Sequence, residues 1–243
     1  MSSIVHADPY RPLDHLWAGT RDISNRQSLV ILGLGSIATV GALAADSSIQ
    51  GYFAGQRRLG GWSAFGDFWG FGIPSVLIGL GTLGSGLFYD QDHEIDAGES
   101  HLEAIVASLV YTHAMKVLFC RNRPDQSDRL SFPSGHTSMS FTTAASLMDF
   151  YGPTLGVPAL ALGVFSATSR LADNKHWFSD TVFGAALGYA VGHAYSFHHK
   201  KEEGWILKAF HLYSLISSLD KPGFKFLLQK LLGREPVAVS LLA

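Results

Sequence analysis

Three short polar clusters stand out in this 243-residue chain: Lys116 with Arg123-Pro124, then Pro133-Ser134-Gly135-His136, then Ser169-Arg170 with His176 and Asp180. Together they supply three fixed cations, two histidines and one carboxylate. That inventory suits a tetrahedral phosphate: cations neutralise its oxygens, one imidazole attacks phosphorus, and the other protonates what leaves. Lys116 and Arg123 are seven apart, two turns of one helix, so both can project from one face, and Pro124 stops that helix with Arg123 at its mouth. Ser134 is placed to cap a helix, and Gly135 lets the backbone approach a ligand closely. Free amides at a helix start form an anion site, with His136 beside it. His176 and Asp180 are four apart, which puts them on one helical face. Asp180 can then take a hydrogen bond from one imidazole nitrogen and leave the other with a lone pair for attack.

Six helical segments are expected to position these clusters, with no strand-like alternation competing. The first is the uncharged run Gln27–Ala45, and a Gly-rich connector, Gly51–Gly61, follows it. The second is Phe68–Tyr89, with small residues at spacings that allow close helix approach. The third, Ser100–Phe119, is apolar on one face but carries His101, Glu103, His113 and Lys116, and reads as a bundle-interior helix. The fourth, Ser134–Phe150, is rich in Ser and Thr. The fifth is Pro153–Ser169, and the sixth Ser179–Phe197, where Gly184, Gly188 and Gly192 form a ridge for close packing. Residues 1–26 read as a polar arm, irregular or interfacial. In the tail, 200–243, Phe224, Leu227, Leu228 and Leu231 mark a basic amphipathic helix of the kind that lies on a membrane surface or docks on the core.

Charged residues are 16% of the chain, hydrophobic ones 47%, and Gly occurs 26 times, a balance that leans toward a membrane protein or tightly packed helices. Mean hydropathy is only +0.17. A net charge of −2 and the lack of a basic stripe give no support for nucleic-acid binding. One cysteine, Cys120, excludes an intrachain disulfide and a multi-cysteine metal site, and reads as helix packing. No carboxylate cluster suited to Mg²⁺ is evident, so neither metal nor cofactor is expected. His101 and His113 read as packing residues, and His193, His198 and His199 as interfacial. Residues 27–45 are a first membrane helix or a signal peptide, with the helix preferred. If all six segments span, both termini share one side. Ten of the eighteen Lys and Arg residues fall on that side, which puts the termini in the cytoplasm and the clusters outside.

Jointly the clusters read Lys-x6-Arg-Pro, Pro-Ser-Gly-His and Ser-Arg-x5-His-x3-Asp. This resembles the signature of the type 2 phosphatidic acid phosphatase (PAP2) family, with every signature residue present between 116 and 180. The resemblance implies an all-α six-helix bundle, transmembrane, over residues 27–199. It implies that His176 attacks phosphorus to give a phosphohistidine, oriented by Asp180, while His136 protonates the leaving oxygen. Lys116, Arg123, Ser134, Gly135 and Arg170 would bind the phosphate oxygens. The substrate so implied is a lipid phosphate monoester or diphosphate, hydrolysed at the extracytoplasmic face of a cell membrane. The competing expectations are a periplasmic acid phosphatase on small esters, a vanadium haloperoxidase and a noncatalytic lipid-binding protein. The sequence names neither the lipid nor the oligomeric state.

Overall fold

The computed structural model describes residues 12–54 and 59–219, and its regular elements in those segments are helices. Nine α-helices occur among them: α1 (Pro12–Asp22), α2 (Arg26–Leu43), α3 (Asp46–Ala54), α4 (Ser63–Gly70), α5 (Ile73–Tyr89), α6 (Asp92–Phe119), α7 (Gly135–Tyr151), α8 (Pro153–Ala172) and α9 (Phe178–Leu219). The all-α class agrees with the sequence, and the count of six is too low. Residues Pro12–Asp22 are helical rather than irregular, held by Tyr195 Oη donating to the Leu16 carbonyl at 3.0 Å and by the Asp22–His198 pair at 2.8 Å. The Gly-rich connector begins as α3. The second expected segment is two helices bent by 46°, because Gly72 takes a φ of +97° between them, a backbone form most side chains avoid. The tail motif Phe224–Leu231 lies outside the described residues.

The chain divides into two units, residues 1–199 and 200–243. The first unit has a small apolar core of Ala104, Ala107, Leu187, Val191 and Tyr195. Much of its interior is hydroxylated instead. Ser108 meets Ser138 at 2.8 Å, Ser75 meets Thr143 at 2.6 Å, and Thr142 donates to the Gly188 carbonyl at 3.1 Å. Ser138, Thr142 and Thr143 of α7 thus spend their hydroxyls on bonds to other helices, while Ser140 bonds back to the His136 carbonyl within α7. The glycine ridge of α9 packs on this same helix. A Cβ at Gly184 would come within 2.7 Å of the Ser134 carbonyl oxygen, and one at Gly188 within 2.0 Å of the Ser138 oxygen.

Among the described residues, three helices, α2, α6 and α8, are long and apolar enough to cross a membrane, and the bent pair ending in α5 makes up to four. Their outer faces expose Leu34, Ile37, Val40, Leu77, Leu109, Val110, Val157 and Val164. α6 thus has two faces: Ser100, His101, Glu103 and Ser108 are buried, while Val106, Leu109, Val110 and Leu118 point outward. The sequence reading of α6 as an interior helix holds for one face only.

Candidate active site

The three polar clusters meet at one end of the bundle. α6 stops at Phe119, where Cys120 adopts a φ of +45° and its N–H bonds back to the Lys116 carbonyl. Lys116 is therefore in the last helical turn, and Arg123 lies in the loop beyond rather than two turns along the same helix. The loop is pinned by Arg123 itself: Nε donates to Asp128 at 2.8 Å and Nη1 to the Lys175 carbonyl at 3.0 Å. Lys116 Nζ reaches the Leu130 carbonyl across the same loop. Cys120 is exposed, not packed.

His176 is buried in the turn before α9, and Asp180 sits in the first turn of that helix, so the two share no helical face. Arg123 Nη1 lies 3.2 Å from His176 Nε2. A guanidinium only donates, so Nε2 carries the lone pair and Nδ1 the hydrogen. Nδ1 faces Asp180 at 3.7 Å, beyond hydrogen-bond length, and has no other partner. The expected His–Asp hydrogen bond is thus replaced by a longer electrostatic contact. The reason is that the carboxylate is already engaged: one oxygen takes Arg121 Nη1 at 2.6 Å, and the other takes Ser131 Oγ at 2.5 Å and the Trp177 amide at 2.9 Å. Burial drives His176 down to about 4; Asp180 opposes that shift, and the Lys116 and Arg123 cations reinforce it. Burial pushes Asp180 up, but its hydrogen bonds and the Arg121 charge outweigh this and keep the carboxyl below its ordinary range. A neutral imidazole with an outward lone pair results.

The Pro-Ser-Gly-His segment opens α7. Its Ser134 amide donates to the Asp180 carbonyl at 3.0 Å, which ties this helix start to that of α9. Ser134 occupies the N-cap, yet its hydroxyl makes no cap bond and instead receives Thr137 Oγ1 at 3.0 Å. The expected side-chain cap is absent, and the first amides of α7 keep the orientation of an anion site. Gly135 faces Lys116: a Cβ there would stand 3.9 Å from Lys116 Cε.

Arg170, near the end of α8, is buried; it pairs with Asp67 of α4 and lies 3.4 Å from Asp173. Its Nε is buried without a partner. Asp67 Oδ1 also stands 2.8 Å from His136 Nε2, off the line of the N–H, so the contact is electrostatic rather than a formed hydrogen bond. Three residues absent from the sequence signature therefore hold the site. Asp67 bridges Arg170 and His136. Arg121 links Asp180 to Asp46 of α3, the latter at 2.6 Å, and Asp46 in turn accepts from the Ser179 amide at 2.8 Å. The only sequence signals are a solitary carboxylate in each of two apolar stretches and a second arginine two places before Arg123.

Among the described residues, the other histidines take no part in this arrangement. His101 is buried with Nε2 at 3.0 Å from the Ser75 carbonyl, while His113 is exposed. His198 and His199 are buried, not interfacial; His199 lies 3.2 Å from Glu103. Asp96, Glu99 and His199 bring ligand atoms within 4.8 Å of one another, a grouping the sequence did not suggest. Asp96 is twenty residues from Lys116 along α6, roughly 30 Å of helix, so this group is remote from the phosphate end.

Comparison with known proteins adds the following. A family model described as the PAP2 superfamily matches residues 100–203, a range that contains every residue of the three clusters. A lipid A 1-phosphatase of Porphyromonas gingivalis is 40% identical over 83 residues, 33% of this chain and 19% of that protein. A PA-phosphatase related-family protein of Dictyostelium discoideum is 26% identical over 158 residues, 49% of this chain and 58% of that protein. The chain thus spans about a fifth of the first relative and under two thirds of the second. Among solved structures, a transmembrane PAP2 type phosphatidylglycerolphosphate phosphatase from Bacillus subtilis aligns with a TM-score of 0.42 at 21% identity, over 81% of this chain and 98% of that one.

Proposed function

We propose, for a chain whose residues 100–203 belong to the PAP2 superfamily, a membrane-bound phosphatase that hydrolyses a lipid phosphate by way of a phosphohistidine. The relatives' names, lipid A 1-phosphatase and PA-phosphatase related-family protein, support a lipid phosphate as substrate. The apolar outer faces of α2, α5, α6 and α8 support the membrane setting. The charge balance of the termini supports an active end on the extracytoplasmic side.

The observation that carries the mechanism is the Arg123–His176 contact, a cation held 3.2 Å from the lone pair of a buried imidazole. A phosphoryl group entering there meets Arg123, Lys116, the unpartnered Nε of Arg170 and the amides at the start of α7. His176 Nε2 attacks phosphorus; a P–N bond forms, the P–O bond to the lipid alcohol breaks, and His136, held as imidazolium by Asp67 and the bound phosphate dianion, gives its proton to the leaving oxygen. The phosphorylated ring retains its Nδ1 hydrogen and becomes cationic, and the nearby Asp180 carboxylate stabilises that charge. Water then attacks phosphorus, passes a proton to His136 and breaks the P–N bond, releasing phosphate and restoring His136 as imidazolium and His176 as neutral imidazole. Cations and dipoles fixed in advance lower the barrier without rearranging during reaction.

Brief mixing of detergent-solubilised protein with ³²P-labelled lipid phosphate, quenched in alkali, should trap an alkali-stable, acid-labile phosphoprotein. His176→Ala should give no label and no phosphate release while staying folded. Continued phosphate release by that variant sinks the mechanism.

A further inference from the structure

Away from the phosphate end, α6 and α9 bring residues of metal-ligating type together. Asp96, Glu99 and Glu103 are spaced i, i+3 and i+7 on α6, so they form one stripe along that helix. His199 meets the stripe from α9. Asp96, Glu99 and His199 each place a ligand atom within 4.8 Å of the other two.

The imidazole is oriented for ligation. His199 Nε2 lies 3.2 Å from Glu103 Oε2, and both side chains are buried. A carboxylate accepts, so Nε2 carries the hydrogen and Nδ1 is the nitrogen that can ligate. Nδ1 faces Asp96 Oδ1 at 3.8 Å, beyond hydrogen-bond length. That separation is close to the ~3.4 Å edge between two ligands of a tetrahedral ion bound at ~2.1 Å, so a small contraction would seat an ion. A carboxylate on the far nitrogen is also the common support of a metal-bound histidine, where it fixes the ring and raises its basicity. Glu103 stands in that position. Binding exchanges any proton on Nδ1 for the ion, and no electrons move.

The two helices hold this geometry in place. A Cβ at Gly86 would come within 2.6 Å of the Ile95 amide nitrogen, and one at Gly98 within 2.5 Å of the Leu83 nitrogen, so α5 and α6 touch backbone to backbone on both sides of Asp96. Tyr151 Oη donates to Glu94, which ties the first turn of α6 to the end of α7. Tyr195, one turn before His199, packs with Ala104 and Ala107 of α6 in the apolar core.

We infer that Asp96, Glu99 and His199 bind a divalent transition ion of the Zn²⁺ kind, with Glu103 holding the imidazole. An imidazole with two carboxylates suits such ions, whereas Mg²⁺ and Ca²⁺ favour oxygen ligands alone. The ion clamps the start of α6 to α9. It takes no part in the phosphate chemistry, which lies roughly 30 Å away along α6.

Calorimetric titration of the full-length, tag-free protein in detergent, after metal removal with EDTA, tests this with Zn²⁺ and, separately, Mg²⁺. One equivalent of Zn²⁺ should bind to this site, with an affinity that falls tenfold or more in Asp96→Asn, Glu99→Gln and His199→Ala. Glu103→Gln should cost about 10- to 100-fold, the loss typical of a residue that supports a ligand. Asp96 and Glu99 are only part-buried, so their variants should keep the parental circular dichroism even where His199→Ala unfolds. Zn²⁺ should raise the Tm of the parent and leave that of Asp96→Asn unmoved. Phosphate release by Asp96→Asn should stay within twofold of the parent. The inference is overturned by no Zn²⁺ binding, by binding as tight in all the variants as in the parent, or by Mg²⁺ bound as tightly as Zn²⁺. Each of those results leaves the phosphatase reading intact, whereas folded parent protein that releases no phosphate defeats that reading alone.

Discussion

Arg123 joins two jobs, of which the sequence suggests only the binding of phosphate. It fastens the loop after α6, through Asp128 and the Lys175 carbonyl, and it faces the lone pair of His176. Arg123→Ala should lower kcat by about 100- to 1,000-fold, the loss expected when one donor to a developing oxyanion is removed. Arg123→Lys should recover only part of that loss, because an ammonium cannot hold the Asp128 carboxylate, the backbone carbonyl and the phosphoryl oxygen at fixed angles. Steady-state phosphate release checks both; a Lys variant at parental rate would mean that charge alone matters. The eight candidate residues stand out in the sequence because their types and order suit phosphate chemistry. Asp46, Asp67 and Arg121 were not, since each partner lies far away in sequence: Asp67 meets Arg170 across 103 positions and Asp46 meets Arg121 across 75. A lone carboxylate in an apolar stretch announces that it needs a partner, but not which one.

The helices show where periodicity succeeds and where it stops. α7 and the start of α8 fall close to the expected limits because a proline or glycine marks those boundaries, as at Pro133, Gly152 and Pro153. The end of α6 at Phe119 matches the expected segment, but Arg123 is not on that helix because Cys120, with no special propensity for it, takes the left-handed conformation that terminates it. The break between α4 and α5 rests on Gly72, one glycine among many in that stretch. The α9 ridge was read correctly because spacing of four along a helix has one geometric meaning. Replacing Gly188 by Leu should force α9 off α7, destabilise the fold by roughly 1–3 kcal/mol or more, and displace Asp180 from the Ser134 amide. Thermal melting in detergent and phosphate release should fall together. Gly81→Ala, where a Cβ would meet nothing within 4 Å, should leave both unchanged or raise stability slightly. Equal melting temperatures for the two variants would refute the packing account.

For the whole molecule, the apolar outer faces and the polar end imply an orientation that the chain's own cysteine can report. Cys120 is exposed at the end of α6 that carries Lys116. A membrane-impermeant maleimide should label it in intact cells, and Cys120→Ser should abolish the signal; labelling only after permeabilisation would place the active end in the cytoplasm. Composition made the helical class legible, but not the number of helices, since short helices such as α3 and α4 lack the length that makes a pattern stand out. Those two short helices have a consequence for ancestry and engineering. The family match begins at residue 100, yet Asp46 and Asp67, which steady Asp180 through Arg121 and hold Arg170, come from the first seventy residues. Transplanting 100–203 alone would carry the candidate reactive groups without the two carboxylates that hold Arg121 and Arg170, so the unit to move is the bundle rather than the signature.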